Sequence, residues 1–183
     1  MSVGIHAFGG YVPIQRLQRK DMAEANAWLN PALRGLGKGE RAICNWDEDA
    51  ITMAVEASRD ALGSNDIPQI DAIFFASTSL PFLDRQNAGI ICEALHLGSN
   101  LLTMDVTGSQ RAATTALTTA LKAAASGDCI LVSAGEKRQT KAASPLEMTA
   151  GDAASAMVIM EGDGVAKLLG LATHAVDFVD HYR

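Results

Sequence analysis

Asp105-Val106-Thr107-Gly108-Ser109-Gln110-Arg111, running on into Ala112-Ala113-Thr114-Thr115-Ala116-Leu117, is the stretch that decides the fold. Leu101 to Val106 reads as a short, buried apolar strand and Gly108-Ser109 as a sharp turn. The run from Arg111 to Lys122, with no charge between them, reads as a helix buried on nearly every side. Such a turn points free N–H groups and the positive end of a helix dipole at whatever lies above the sheet, where they stabilise a thiolate or an oxyanion. Ser109, Gln110 and Arg111 are therefore the first candidate site residues.

Outward from that stretch, strands and helices alternate as in a layered α/β domain. Val3 to Val12 reads as a strand broken by Gly9-Gly10, Arg19 to Leu29 as a helix, and Pro31 to Gly39 as irregular chain. Asp49 is placed to N-cap a helix that runs to Leu62 and stops at Gly63-Ser64-Asn65. Ile70 to Ala76 is a continuous apolar run, as in a strand covered on both faces. Arg85 to Leu97 reads as an amphipathic helix, and Cys129 to Ala134 as a further buried strand. Residues 153–160 and 165–171 read as two strands of a hairpin turning at Gly162-Asp163-Gly164. The order is βαβαβαβ with a closing strand.

Composition narrows the function classes. The chain has 183 residues, is 48% hydrophobic and carries a net charge of −6, which argues against nucleic acid or an anionic membrane as partner. Its uncharged runs are short for a spanning helix, and Met1 to Pro13 lacks the pattern of a signal peptide, so a cytoplasmic protein is expected. Cys44, Cys92 and Cys129 are scattered, with neither a disulfide framework nor a zinc spacing. Cys92 and Cys129 read as inert core thiols and Cys44 as a loop thiol open to solvent. His6, His96, His174 and His181 share no ligand spacing.

Four segments, in order, resemble the thiolase superfamily, and within it hydroxymethylglutaryl-CoA synthase and 3-oxoacyl-acyl-carrier-protein synthase III. They are Glu40-Arg41-Ala42-Ile43 with Trp46 to Ala54, Ala76-Ser77-Thr78-Ser79, the Asp105 turn, and Gly151-Asp152-Ala153-Ala154-Ser155-Ala156. The resemblance covers nearly the whole chain and implies an α/β, thiolase-like layered fold: one βαβαβαββ half with a mixed sheet, spanning 1–183. The family's second half, which carries the catalytic histidine and its partner, is not matched. The composition of Ala175 to Arg183 is not that of a tail, so the chain is expected to be one half of a longer polypeptide. The resemblance further implies an acyl-CoA or acyl-carrier ligand and a homodimer formed through the Leu101–Val106 strand.

The chain departs from the family where chemistry is expected. The position of the nucleophilic cysteine, five residues after Asp105, is Gln110, whose carboxamide forms no thiolate and no acyl-enzyme. Ser109 is a poor substitute, since a hydroxyl needs a base and no histidine lies within ten residues in sequence. Thr78 stands at the position of the general-acid glutamate of the hydroxymethylglutaryl-CoA synthases. The tryptophan and arginine that grip the coenzyme adenine in synthase III are not matched either.

Arg111 sets a cation against the positive end of a helix, so it should meet either a carboxylate or an anionic ligand group. Two functions from different classes follow. One is an acyltransferase or decarboxylating variant acting on a CoA thioester held without a covalent bond, as in decarboxylating relatives of the ketosynthases that carry glutamine for cysteine. The other is a non-catalytic scaffold subunit for a thiolase or acyl-carrier partner. A nucleotide-binding domain is disfavoured, because neither GxGxxG nor GxxxxGK follows the first strand.

Overall fold

The chain folds around one six-stranded mixed sheet with helices on both faces; the computed structural model describes residues 2–63 and 67–176. Its strands are β1 (Val3–Tyr11), β4 (Ala72–Ala76), β5 (Leu102–Val106), β6 (Ile130–Glu136), β7 (Ala153–Glu161) and β8 (Ala166–Lys167), in the order β5-β4-β6-β7-β1-β8. β5, β4 and β6 run parallel, whereas β6–β7, β7–β1 and β1–β8 are antiparallel. β2 (Arg16–Gln18) and β3 (Glu40–Ala42) form a separate ribbon.

Strand β4 shows why the sheet is central. All five residues are buried: Ile73 and Phe75 enter one core, while Ala72, Phe74 and Ala76 enter the other, the period-two alternation of a pleated strand. The first core is roofed by α2 (Ala50–Leu62) and α3 (Asn87–Ala94), the second by α4 (Ala112–Ala124). Burying Phe75 or Ile73 stabilises the fold by about 1.5–3 kcal/mol each. Two small helices, α1 (Arg19–Asn26) and α5 (Pro145–Thr149), pack with the 3₁₀ turn Pro31–Leu36 around Met22, Leu33 and Met148.

Asp49 caps α2 as expected: its carboxylate accepts the N–H groups of Ile51 and Thr52, and the Thr52 hydroxyl accepts the Asp49 N–H, a closed capping box.

Six expectations are corrected. Gly9-Gly10 does not break β1, because a Cβ at Gly9 would lie 2.3 Å from the Ala61 nitrogen; glycine here lets α2 lie on the strand. The first helix ends at Asn26, whose side chain bonds back to the Met22 carbonyl, and proline then starts a 3₁₀ turn where irregular chain was expected. α3 is shorter than Arg85–Leu97: the Asp105 carboxylate takes the N–H groups of Asn87 and Ala88 and so fixes its start, and His96 at φ 55° lies just beyond its end. α4 is buried along one stripe only, Ala112, Ala116, Ala120 and Ala124, since only that i, i+4 row faces the sheet; Thr114, Thr115 and Thr119 are exposed. β5 is the sheet edge and only half-buried, with Leu102 62% exposed.

The hairpin is also corrected. β8 pairs with β1, not β7, because the 162–165 segment crosses the end of β1, with the Gly162 N–H bonded to the Ser2 carbonyl and the Val165 N–H to that of Ile5. Residues 177–183, including His181, lie outside the described residues.

Candidate functional site

The chain leaves β5 at Val106, turns through Gly108 at φ 85°, and enters α4 at Ala112. The Ser109 Oγ accepts the Arg111 N–H at 3.1 Å and the Ser109 carbonyl accepts that of Ala112 at 2.9 Å. No side chain caps the start of α4. Its positive end therefore faces a cavity of about 360 Å³ that Gln110, Ala112 and Ala113 line from one side and Gly135 and Glu136 line from the end of β6. Ala76, Ala134 and Ala154 add small walls, and Gln110, Glu136 and Ser155 are the residues with polar side chains in the lining.

Thr78 does not share that cavity, but it touches a side chain that does. The Glu136 carboxylate accepts the Thr78 N–H at 2.6 Å, the Thr78 hydroxyl at 3.0 Å and the Ser79 hydroxyl at 2.9 Å. A threonine has one hydroxyl proton, and here it is committed to Glu136. Glu136 escaped the sequence reading because β4 and β6 are neighbours only in the sheet: residues 78 and 136 meet through the parallel register Ala76–Ala134. The available signal was the polar step Gly135-Glu136-Lys137 closing an apolar strand.

Lys137 ties this edge to the loop before α2. Its N–H bonds the Ser79 Oγ at 2.9 Å, and its ammonium donates to the carbonyls of Asn45 and Glu48. The Glu48 carboxylate accepts the Asn45 N–H and the Tyr11 hydroxyl. That last bond, with burial adding to it, pushes the Tyr11 phenol up to about 12; the same bond and the Asn45 N–H hold Glu48 below the usual carboxylate range, against the effect of burial.

Of the other candidates, Arg111 is an exposed N-cap residue, and among the described residues it forms no ion pair with a carboxylate. Ser109 is likewise exposed. His96 lines a separate cavity at the opposite end of β4 with Ile70 and Gly98, and His6 packs against Gly162 and Gly164. Neither is positioned as a base for Ser109.

Cys44, expected to be exposed, is 8% exposed, because its N–H is drawn in by the buried Asp152 carboxylate at 2.9 Å. Burial, reinforced by the Asp152 charge, pushes its thiol up to about 12; burial pushes Cys129 up to about 11. A thiol so held is a poor nucleophile at neutral pH. Gly151-Asp152, read from sequence as part of a family motif or a plain turn, thus anchors the loop that enters α2. Arg41 is also buried, donating to the Glu147 carbonyl, while Glu40 stays outside against Arg16 at 3.6 Å.

A larger cleft, about 820 Å³, begins at Thr78 and Ser79 and continues along Lys137, Arg138 and Lys141. No helix among the described residues is long and apolar enough to cross a membrane.

No family model matches the chain. It is 33% identical over 187 aligned residues to the hydroxymethylglutaryl-CoA synthase of Aeropyrum pernix, covering 100% of this chain and 52% of that protein. The solved 3-oxoacyl-(acyl carrier protein) synthase III of Pseudomonas aeruginosa PAO1 superimposes with a TM-score of 0.78 at 22% identity, over 93% of this chain and 54% of the other. A hydroxymethylglutaryl-CoA synthase solved in complex with CoA superimposes with a TM-score of 0.76 at 23% identity, over 88% of this chain and 42% of that one. The chain spans about half the length of the curated relatives it matches. Over its whole length the chain is thus similar in sequence to about half of a hydroxymethylglutaryl-CoA synthase, and it shares its fold with solved structures of that enzyme and of 3-oxoacyl-(acyl carrier protein) synthase III.

Proposed function

We propose that this chain is the first half of a cytoplasmic acyl-CoA-binding protein of the hydroxymethylglutaryl-CoA synthase and synthase III kind, one that holds its thioester without forming an acyl-enzyme. The observation that carries the reading is the position of Gln110, at the uncapped start of α4 and on the wall of the 360 Å³ cavity. A carboxamide there donates to a thioester carbonyl, and the helix end favours negative charge on the same oxygen. This suits a reaction with an enolate but no covalent intermediate, such as decarboxylation of a 2-carboxyacyl (malonyl-type) thioester, in which CO2 leaves and the electrons of the broken C–C bond pass to the thioester carbonyl oxygen. Proton delivery then falls to the half not matched here, because the Thr78 proton is held by Glu136.

The same lack of a nucleophile and a free acid supports the second reading, a scaffold for a thiolase or acyl-carrier partner. Incubation with acetyl-CoA or acetoacetyl-CoA followed by intact-mass spectrometry tests the first reading: no acetyl adduct is expected, and one mapped to Ser109 refutes it. Calorimetric titration with CoA separates the two, since a pure scaffold binds none.

A further inference from the structure

The 820 Å³ cleft beside Thr78 and Ser79 is unlike the rest of the surface. The chain carries a net charge of −6, yet three cations, Lys137, Arg138 and Lys141, fall within five residues and line this one concavity. Its one lining carboxylate, Asp49, is engaged in capping α2. Among the described residues the Arg138 and Lys141 side chains make no hydrogen bond or ion pair, whereas the Lys137 ammonium rests on two neutral carbonyls, with the Glu48 carboxylate in electrostatic range. A concave wall concentrates such a field, and the charge is left facing the opening.

The remaining lining explains what kind of anion fits. Thr140 and Gln139 add neutral polar groups, while Leu80, Pro81 and Leu146 supply an apolar wall. The volume lies within the range of small-molecule sites. An arginine fork flanked by two ammonium groups matches the oxygens of a phosphate or diphosphate, and the apolar wall matches a carbon skeleton.

We propose that this cleft binds a phosphate-bearing small molecule, with Arg138 and Lys141 as the principal phosphate contacts and Lys137 fixing the inner edge. The site stands on the cleft's own charges; naming the ligand as the phosphates of a CoA thioester rests on the function proposed above. Thr78, Ser79 and Lys137 line the cleft, while Ala76, Ala134, Gly135 and Glu136 line the Gln110 cavity, so the two concavities adjoin at the junction of β4 and β6.

Isothermal titration of the chain with inorganic pyrophosphate, CoA and phosphate-free pantetheine tests this. Pyrophosphate and CoA are expected to bind wild type, to weaken at least about tenfold in R138Q/K141Q, as for loss of a hydrogen bond to a charged group, and to change less than about twofold in the charge-matched K20Q/K122Q control, where any effect reflects net charge alone. Pantetheine affinity should not respond to either variant, and circular dichroism should show both folded. Pyrophosphate binding that R138Q/K141Q leaves unchanged, or that is undetectable in wild type, overturns the site. Pyrophosphate sensitivity without CoA binding supports the site but refutes the acyl-CoA reading. CoA binding insensitive to R138Q/K141Q keeps that reading and overturns the site.

Discussion

Asp105 opens the stretch that decides the fold, and its removal should cost far more than one hydrogen bond. Its carboxylate accepts the Asn87 N–H at 2.7 Å, the Asn87 side-chain amide at 2.8 Å and the Ala88 N–H at 2.7 Å. Asn87 is fully buried, so water reaches these donors poorly. Hydrogen bonds to a charged group contribute about 1.5–3 kcal/mol each, and a stranded buried donor costs about 1–3 kcal/mol. The Asn87 amide keeps the Phe82 and Arg85 carbonyls in Asp105→Ala, which leaves two helix-start N–H groups without a partner. A loss of about 3–4 kcal/mol follows, somewhat above the usual value of a helix cap because the donors are enclosed. With a urea slope of about 2 kcal/mol/M, the midpoint should fall by about 1.5–2 M. Asp71→Ala is the internal control, since Asp71 accepts the Cys129 N–H through one side-chain bond and should cost about 1 kcal/mol. Equilibrium urea unfolding of the two variants decides. A loss below 1 kcal/mol for Asp105→Ala, or one equal to that of Asp71→Ala, would refute the claim that the carboxylate organises the start of α3.

Arg111→Ala should shift stability by no more than about 0.5 kcal/mol, because the side chain is exposed, forms no ion pair among the described residues and sits at the positive helix end; a thermal melt showing a loss of several kcal/mol would reveal a buried partner. Iodoacetamide labelling of the native chain at pH 8 should modify Cys92 before Cys129 and Cys44, whose thiols are pushed up to about 11 and about 12, and Cys44 labelling should rise only as pH approaches that value. Early modification of Cys44 would contradict its burial. The exposed Leu102 and the free edge of β5 lead us to expect a dimer that extends the sheet, so sedimentation velocity at micromolar concentration should give about twice the chain mass; a stable monomer would exclude this edge as the interface.

The sequence alone determined much of the local structure, because the signals are short-range. Asp49 followed by Thr52 is a capping box wherever it folds, and the unbroken Ile70–Ala76 run had to be covered on both faces. That residue 110 carries a carboxamide and no thiol is likewise a statement about residue identity. Other features depended on which elements meet. Gly9-Gly10 looks like a break until α2 lies against it, and α4, uncharged as far as Lys122, looks fully buried until the sheet is seen to cover only its alanine stripe. A turn rich in glycine predicts a hairpin, yet hydrogen bonding to Ser2 and Ile5 carries the chain across to β1. Thr78 and Glu136, 58 residues apart, become partners only because β4 and β6 are parallel neighbours, and the cations of 137–141 become a cleft only opposite Thr78 and Asp49. Capping and strand periodicity are set within a few residues of chain; strand order, close approach and the convergence of charge are set by pairings between distant segments, which one sequence does not encode locally.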